Sequence, residues 1–596
     1  MPEPQGHGKM QDFLETLIRL AHRLRSNLSL RTRLLLAAPV LLLAAHSTAG
    51  QSIRFRDISR SAGMGPPRDP ALEKKYIVEM MGGGVALFDC DLSGKLAIVV
   101  VNDSTVDEYL HGGAPMITLY RQVGDLHFVD TTLQSGLTTR GWGMGVAIGD
   151  FDNDGLPDIF VAGYGHNALY HNLGDCKFED VTERAHVTGG GFSVGAAWAD
   201  YDRDGKLDLF VDHYIDSDIH DLPQPGSRYF GYRGQPMEVL RTVGQASQLF
   251  HNRGDGTFED VAEKAGVANP QKRLGMGMVW ADYDNDGWPD LFVTNDMGAN
   301  YLFRNRHDGT FEDVAFGLGV ATGEDGEYFG NMAGDFADID HSSKLDLLIT
   351  RYRNQPISLY ANRGEQGFDD ITRTSRLDLG GESLVRWGSG FADFDNDGWP
   401  DLLIANGNFT PVIDAIPTDP KYAEPLQVFR NNGNRTFTDV SAQSGLNDGP
   451  LHSRRGTAFG DLNNDGNIDA VVFNADGPPS IFLNVTAGSN HSVLFRLAGT
   501  KSNRAAIGAR VIVSTLSAAG RVINQMDEVR GGNSYLSSND QRLHFGLGSA
   551  RVIRRVQILW PSGLKEDLRD VPADAIYTVV EGQGIKGSTK FNPPAK

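Results

Sequence analysis

Short apolar runs recur along the chain in a fixed order that predicts a repeated four-stranded unit. One run is Leu209-Phe-Val211, a second is Leu249-Phe-His-Asn252, and a third, Phe258-Glu-Asp260, follows a turn rich in Gly and Asp. The third type begins seven times, at Phe55, Phe128, Phe178, Phe258, Phe311, Phe368 and Phe437. With the segment that leads into each first run, these make four short strands per repeat. Repeats 50 to 82 residues apart predict an all-β fold, a seven-bladed β-propeller.

The order of the runs also predicts how the ring of blades closes. The first run of the Phe-x-Asp type, Phe55-Arg-Asp57, precedes every complete repeat, whereas the last repeat ends at Ile481-Phe-Leu-Asn484 without one. We therefore expect the N-terminal strand to complete the last blade. Such closure removes the open sheet edges that would otherwise promote aggregation.

A polar segment of nine residues precedes the first apolar run of each repeat. Asp150-Phe-Asp-Asn-Asp-Gly-Leu-Pro-Asp158 recurs at 200–208, 282–290, 338–346, 393–401 and 461–469. A degraded copy begins at Asp89, keeps Asp91, has Ser93 at the fifth position and ends in Ala97. Five residues before each segment stands a glycine, at Gly84, Gly145, Gly195, Gly277, Gly388 and Gly456, with Ala333 as the exception.

The spacing of these carboxylates predicts calcium sites. Positions 1, 3, 5 and 9 supply acids, position 7 offers a backbone carbonyl, and glycine at position 6 permits the turn around an ion that takes six to eight oxygen ligands. Packed carboxylates repel one another without a cation. The alternative, an Asx-rich turn without metal, fits one isolated segment better than six near-identical ones. The predicted ligands are Asp150, Asp152, Asp154, Leu156, Asp158, Asp200, Asp202, Asp204, Lys206, Asp208, Asp282, Asp284, Asp286, Trp288, Asp290, Asp338, Asp340, Ser342, Lys344, Asp346, Asp393, Asp395, Asp397, Trp399, Asp401, Asp461, Asn463, Asp465, Asn467 and Asp469.

Three of the segments depart from the pattern. Ser342 and Ser343 replace an Asp and the Gly in one, and Asn463 replaces the second Asp in another, but all three substitutes still carry oxygen. The segment from Asp89 has two carboxylates and no acid at position 9, so we expect it to bind weakly or not at all. The sequence thus predicts about six bound Ca²⁺.

Composition agrees with a folded, acidic protein. Of 596 residues, 40% are apolar and 71 are glycine, which suits many tight turns. The formal net charge of −21 excludes nucleic acid and anionic membrane as expected partners. Six Ca²⁺ would bring that charge to about −9.

The N-terminus predicts export. Arg25, Arg31 and Arg33 precede an apolar run at 34–45 and a small-residue stretch at 47–49, so residues 1–49 are predicted to be a signal peptide and the protein secreted or periplasmic. A retained anchor is the alternative, although the run is short for a membrane span. Export would permit a disulfide between Cys90 and Cys176. Because they occupy non-equivalent positions in different repeats, we predict two thiols instead.

The propeller repeats resemble the FG-GAP/VCBS blade type, and the C-terminal region resembles the ASPIC/UnbV domain. The second resemblance is carried by four ordered motifs, which are Thr500-Lys-Ser-Asn-Arg-Ala-Ala-Ile-Gly-Ala509, Gly531-Gly-Asn-Ser-Tyr-Leu536, His544-Phe-Gly-Leu-Gly548 and Trp560-Pro-Ser-Gly563. The combination is typical of a cartilage acidic protein-like bacterial family, and it implies an extracellular or periplasmic, calcium-binding, non-catalytic protein. The predicted domains are the propeller at 50–488, a small β-rich domain at 489–583 and a disordered tail at 584–596.

Three functions remain open at this point: an interaction or adhesion scaffold, a carbohydrate-binding propeller, and an enzyme acting on a glycan or small molecule. The partner would be an extracellular protein or a glycan. Two insertions, 212–247 and 406–427, carry aromatic residues and could bind a ligand or cap the channel. Ser193 lies in a Gly-x-Ser-x-Gly motif in the wrong context for a hydrolase, and Arg253-Gly-Asp255 is interpreted as an ordinary turn.

Overall fold

The computed structural model describes residues 52–593 except 66–73, 75, 223–242, 378–380, 382, 416–420 and 518–519. Its architecture is nearly all β, and the described residues before 485 form seven antiparallel units of four strands each. Buried apolar side chains fill the spaces between neighbouring units rather than the centre of any one sheet. This is the layout of a propeller, because each strand is short, twisted and covered on both faces by the adjacent sheets.

Strand β1 (Phe55–Asp57) comes first, and six complete units follow it in chain order. They are β2 (Val85–Phe88), β3 (Ala97–Val101), β5 (Ile117–Gly124) and β6 (His127–Asp130); β7 (Arg140–Gly149), β8 (Asp158–Tyr164), β9 (Ala168–Asn172) and β10 (Phe178–Asp180); β11 (Ser193–Ala199), β12 (Asp208–His213), β13 (Gln248–Asn252) and β14 (Phe258–Asp260); β15 (Leu274–Ala281), β16 (Asp290–Gly298), β17 (Tyr301–Asn305) and β18 (Phe311–Asp313); β19 (Phe329–Ala337), β20 (Asp346–Arg351), β21 (Ser358–Asn362) and β22 (Phe368–Asp370); and β23 (Arg386–Ala392), β24 (Asp401–Asn406), β25 (Gln427–Asn431) and β26 (Phe437–Asp439). Strand β4 (Ala114–Pro115) pairs with the start of β7.

The seventh unit contains β27 (Arg454–Gly460), β28 (Asp469–Asn474) and β29 (Ser480–Asn484), and β1 supplies its fourth strand. Phe55 lies opposite Asn484, and Asp57 lies opposite Phe482. The prediction that the N-terminal strand completes the last unit is confirmed. The first strands of the seven units contact one another in the order β2, β7, β11, β15, β19, β23 and β27, and β27 contacts β2, so the ring is closed.

Short helical turns follow several of the fourth strands because the Asp of each Phe-x-Asp run accepts a backbone hydrogen bond two residues later. Asp180 Oδ1 accepts from Thr182 N at 3.0 Å, and Asp370 Oδ1 accepts from Thr372 N at 2.9 Å. The helices are α1 (Val78–Met81), α2 (Val106–Leu110), α3 (Thr182–Ala185), α4 (Ala262–Ala265), α5 (Ala315–Leu318) and α6 (Thr372–Ser375), and the 3₁₀ turns are Ile219–Asp221, Gly364–Gln366, Pro411–Ala415 and Ser441–Gln443.

The C-terminal region forms two further four-stranded sheets within the same compact unit as the propeller, which begins at Ile53. Their strands are β30 (His491–Ala498), β31 (Arg510–Leu516), β32 (Val522–Glu528), β33 (Leu543–Gly548), β34 (Val552–Leu559), β35 (Lys565–Pro572), β36 (Ala575–Val580) and β37 (Gly584–Lys590). The expected disordered tail from 584 is wrong for β37, which pairs with β36 through its backbone while its mostly polar side chains remain exposed. Within the described part of the chain, no helix is long and apolar enough to cross a membrane.

A segment of the C-terminal region, residues 531–540, enters the channel of the propeller, and we call it the plug. Leu536 O accepts from Val146 N at 3.0 Å, and Ser538 O accepts from Leu87 N at 3.1 Å. Tyr535 and Leu536 are buried. Close approach of the plug and of the neighbouring first strands explains the glycine five residues before most of the polar segments. A Cβ on Gly84 would stand 2.2 Å from Leu536 O, and one on Gly456 would stand 2.3 Å from Ser537 Oγ.

The prediction of two thiols is wrong, because Cys90 and Cys176 form a disulfide with Cα atoms 5.0 Å apart. Position 2 of each polar segment packs against the last strand region of the next unit, as the Phe151–Phe258 ring contact at 5.9 Å shows. Cys90 occupies that position, so it lies beside the turn that holds Cys176. The two sites are non-equivalent in the repeat, yet they are adjacent in space. The predicted signal peptide, 1–49, lies outside the described residues.

Candidate metal centres

Each nine-residue segment forms a loop between the first and second strands of its unit, and its carboxylates accept hydrogen bonds from its own backbone. In the loop at 150–158, Asp150 accepts from the N–H groups of Asp154 and Gly155 at 3.1 and 2.8 Å. Asp158 accepts from Phe151 N at 3.0 Å and from Asn172 N at 2.8 Å. Gly155 has φ +95°, a conformation that side chains with a Cβ rarely adopt. The remaining lone pairs of the carboxylates converge inside the loop.

The loops bring the predicted acids together. Carboxylate oxygens lie within 4.8 Å of one another in Asp150–Asp152–Asp154, in Asp200–Asp202–Asp208 and in Asp282–Asp284–Asp290. Asp158, Asp208 and Asp290 at position 9 are buried, as are Asp150 and Asp200 at position 1. Oxygen-rich clusters of this kind suit a hard divalent cation.

In the absence of a cation, burial and mutual repulsion disfavour the ionised form of these carboxyl groups. Burial, followed by the charges of Asp158 and its neighbours, raises the pKa of Asp150 to about 7. Burial and the charge of Asp208 raise the pKa of Asp200 to about 8. Both shifts come from desolvation and like charge, which a bound divalent cation would offset.

Two buried oxygens test whether a cation fits these loops. Oδ1 of Asp200 and Oδ2 of Asp290 have no hydrogen-bond partner in the described part of the chain, and their residues are 3% and 1% exposed. An unpaired buried oxygen costs about 1–3 kcal/mol, more when it is charged. A cation inside the loop would satisfy both atoms, so the residues present fit Ca²⁺.

The variant loops keep the same backbone. Ser343, where other loops have glycine, adopts φ +58° and its N–H donates to Asp338 Oδ2 at 3.0 Å. Asn463 Oδ1 accepts from Asp465 N at 3.3 Å, as Asp does elsewhere. The position-7 residues Leu156, Lys206, Trp288, Lys344, Trp399 and Asn467 lie at the predicted places, and their roles as carbonyl ligands stay a prediction. The indole of Trp399 stacks on His341 at 3.7 Å.

In the degraded loop, arginines lie beside the two remaining acids. Arg121 Nη2 is 2.8 Å from Asp91 Oδ2, and Arg496 Nη1 is 3.4 Å from Asp89 Oδ2. Asp89 still accepts from Gly94 N at 2.9 Å, so the turn survives without its full ligand set. Two guanidinium groups thus supply positive charge where the other loops gather more carboxylates.

Neighbouring loops are joined around the ring through position 4, a connection that sequence reasoning missed. Asn153 Nδ2 donates to Gly205 O at 2.9 Å, linking position 4 of one loop to position 6 of the next. The same bond recurs from Asn285 to Ser343, His341 to Gly398, Asn396 to Gly466 and Asn464 to Gly94. The recurrence of Asn at position 4 was the signal in the sequence.

A second connection comes from the Asn that ends six of the seven third strands. Asn252 Nδ2 donates to Phe151 O in the preceding loop at 2.7 Å and to Leu207 O in its own loop at 3.0 Å. Equivalent pairs of bonds are made by Asn172, Asn305, Asn362, Asn431 and Asn484. Both connections tie the shape of each loop to that of its neighbour.

The C-terminal sheets rest on the loops. Arg510 Nη2 donates to Asp282 O at 2.6 Å, Arg542 Nη2 donates to Asp461 O at 2.9 Å, and Arg203 Nε donates to Pro561 O at 2.6 Å. The Trp560-Pro-Ser-Gly motif therefore contacts the loop at 200–208. Any ordering of the loops by a cation would also order the surface on which this region docks.

The other sequence candidates are structural. Ser193 Oγ lies 3.1 Å from His213 Nε2, but both residues are buried, and burial lowers the pKa of His213 to about 4. Arg253 pairs with Glu259 and Asp255 accepts from Thr257 N, as expected of an exposed turn. The insertions 212–247 and 406–427 are described only in part, because 223–242 and 416–420 lie outside the described residues.

Two family models match the chain. The model described as ASPIC and UnbV matches residues 499–586. The model described as FG-GAP-like repeat matches 89–161, 150–211, 237–293, 282–349 and 338–404. The FG-GAP-like ranges contain five of the six full loops, and the ASPIC and UnbV range contains β31 to β36 of the C-terminal sheets.

Relatives and solved structures are distant. Cartilage acidic protein 1 of Homo sapiens is 28% identical over 369 residues, covering 58% of this chain and 49% of the relative, so the chain spans about half the length of the curated relatives it matches. A lectin from Burkholderia pseudomallei has a TM-score of 0.39 at 9% identity, covering 69% of this chain and 98% of that structure. A rhamnogalacturonan lyase of Bacillus licheniformis has 0.36 at 12%, covering 72% and 75%. The chain is thus built from FG-GAP-like repeats followed by an ASPIC and UnbV domain.

Proposed function

We propose that the protein is an exported calcium-binding propeller that serves as an extracellular interaction or adhesion scaffold and performs no catalysis. The observation that carries the proposal is the set of six Asp-rich loops, because in the loops at 150–158, 200–208 and 282–290 carboxylate oxygens lie within 4.8 Å of one another, and Asp200 and Asp290 keep buried oxygens without partners among the described residues. Each of the six loops would hold one Ca²⁺ through its acids at positions 1, 3, 5 and 9, or through the oxygen-bearing substitutes Ser342 and Asn463.

Calcium suits these loops better than magnesium does. The loops offer four or more oxygens within a flexible hairpin, whereas Mg²⁺ demands near-octahedral geometry and keeps several waters. The role of the ion would be structural, because the loops lie between the propeller and the C-terminal sheets. A scaffold role also agrees with the plug, which occupies the channel where propellers commonly bind small ligands.

Calcium removal tests the proposal. We expect EDTA to lower the temperature of thermal unfolding, since ions that bind only the folded state stabilise it by mass action, and we expect Ca²⁺ but not Mg²⁺ to restore it. A hundredfold excess over the dissociation constant contributes about 2.7 kcal/mol per site. Identical unfolding curves with and without EDTA would rule out a stabilising ion, and full rescue by Mg²⁺ would rule out calcium selectivity.

Export agrees with the disulfide between Cys90 and Cys176, since disulfides persist mainly in oxidising compartments. The choice between periplasm and full secretion would be made by fractionating a culture and assaying each fraction for the protein.

Carbohydrate binding is the second candidate, and one surface favours it. On the side of the channel away from the loops, Tyr109, Tyr352 and Phe409 are partly buried against the cluster that contains Tyr535 and Leu536 of the plug. Aromatic faces beside a few polar groups are typical of ligand pockets. Binding to a glycan array that is lost on Phe409→Ala but is insensitive to EDTA would support glycan binding at this surface. Absence of binding to every glycan on the array would favour the protein-scaffold role.

A further inference from the structure

In the third strand of each unit, one residue pairs with the middle residue of the Phe-x-Asp strand. In six units the residues are Arg121, His171, His251, Arg304, Ala361 and Arg430. In the seventh it is Leu483. Two of the seven are histidines, and both belong to loops with a full set of four Asp residues.

The two imidazoles lie at the mouths of their loops. His251 Nδ1 is 3.1 Å from Asp208 Oδ1 and 3.5 Å from Asp202 Oδ2. His171 Nδ1 is 3.3 Å from Asp158 Oδ1 and 3.4 Å from Asp152 Oδ2. A ring nitrogen and two carboxylate oxygens lie within 4.8 Å of one another in Asp152–Asp158–His171 and in Asp202–Asp204–His251.

One of these separations, His251 Nδ1 to Asp208 Oδ1, is a hydrogen bond, and the other three also fit the edges of a metal coordination shell. Two ligand atoms that each lie about 2.1 Å from one ion are about 3.0–3.4 Å apart in octahedral or tetrahedral geometry. In the described part of the chain, His171 Nδ1 is buried and has no hydrogen-bond partner. The geometry therefore leaves room for an ion between the imidazole and the acids.

The loop at 200–208 adds an independent observation. Asp200 is 3% exposed, and its Oδ1 has no hydrogen-bond partner among the described residues. Asp200 belongs to the same carboxylate cluster as Asp202 and Asp208. A buried oxygen without a partner beside such a cluster indicates a site for a ligand rather than a closed network of hydrogen bonds.

We propose that the loops at 150–158 and 200–208 accept a divalent transition-metal ion such as Zn²⁺ or Mn²⁺, with His171 and His251 as the nitrogen ligands. The inference rests on the proposed cation-binding role of the loops and divides them into two classes. Ca²⁺ takes oxygen ligands, whereas imidazole suits Zn²⁺ and related ions. In the equivalent place, Arg304 and Arg430 carry guanidinium groups that cannot ligate a metal.

The competing arrangement is an imidazolium that only forms an ion pair with the acids. Both arrangements place the ring beside Asp208, but they differ in what the histidine contributes to metal affinity. As a ligand, His251 strengthens transition-metal binding and is dispensable for Ca²⁺. If His251 is only an ion-pair partner, its replacement leaves the affinity for transition metals unchanged.

Cobalt titration distinguishes them. Co²⁺, whose visible absorption reports its ligands, should replace Ca²⁺ in two of the six loops of the calcium-loaded full chain. His171→Asn together with His251→Asn supplies an amide in place of each imidazole. The double variant should bind Co²⁺ at least about tenfold more weakly, because even the loss of a group that only supports a metal ligand lowers metal affinity by that factor. Asp395→Asn, in a loop without histidine, should leave Co²⁺ binding unchanged while weakening one calcium site.

Calcium calorimetry on the same double variant separates failure of this inference from failure of the proposed function. Calcium binding without histidine-dependent Co²⁺ binding would overturn the two-class division and leave the calcium role standing. Absence of calcium binding in the parent would overturn the proposed function itself. Equal Co²⁺ affinity in parent and double variant, with matching absorption, would identify the imidazoles as ion-pair partners only.

Discussion

Deletion of residues 51–61 should prevent the propeller from folding as a stable monomer. The deleted segment contains β1, which pairs with β29, and it places Ile53, Phe55 and Ile58 in the buried clusters on either side of the seventh unit. Burying each of these side chains contributes about 1.5–3 kcal/mol, so the loss approaches the whole net stability of a typical domain, about 5–15 kcal/mol. The open edge of β29 would then be exposed to association with other chains.

A single substitution gives the same test in milder form. Phe55 is 4% exposed and contacts Phe394 edge-on with ring centroids 5.3 Å apart, so Phe55→Ala should cost about 3–5 kcal/mol. Phe316→Ala is the matched control, because Phe316 is 61% exposed and its loss should stay within about 0.5 kcal/mol. Chemical denaturation and size-exclusion chromatography give the result. Equal stability of the two variants, or a monomeric truncated chain with the parental midpoint, would show that the ring does not depend on β1.

Asp284→Ala should remove calcium-dependent stability that Asp91→Ala leaves intact. Asp284 lies in a loop with four acids, where Oδ2 of Asp290 is buried without a partner. At a hundredfold excess of calcium over its dissociation constant, loss of that site should lower the free energy of unfolding by about 2.7 kcal/mol. In EDTA the difference in stability from the parent should shrink or reverse, because the variant has one carboxylate fewer to repel the others. Asp91 pairs with Arg121 instead, so Asp91→Ala should cost about 1 kcal/mol or less, equally with and without calcium.

Sequence pattern predicted the fold well because the repeat itself is regular. Seven Phe-x-Asp runs and one unmatched C-terminal unit were enough to predict the closing strand, which the register of Phe55 opposite Asn484 confirms. The same regularity misled the reasoning about Cys90 and Cys176. Repeat position describes one unit at a time, whereas the disulfide forms between units whose packing brings different positions together.

The candidate site was predictable in its acids and not in its surroundings. The spacing of carboxylates identifies possible ligands, but which atoms keep a free lone pair, as Asp200 Oδ1 does, depends on the folded hydrogen-bond pattern. The plug could not be foreseen either, because the glycines it requires are more than 70 residues away from Leu536 in sequence and meet it only in the assembled ring.

Calorimetric titration of calcium into the metal-free full chain tests the central claim most directly. The parent should bind about six ions, one for each loop with an acid at position 9. Asp284→Ala should bind about five, and Asp91→Ala should match the parent. Absence of calcium binding in the parent would contradict the account, as would a site lost in Asp91→Ala, which would place an ion where two arginines now lie.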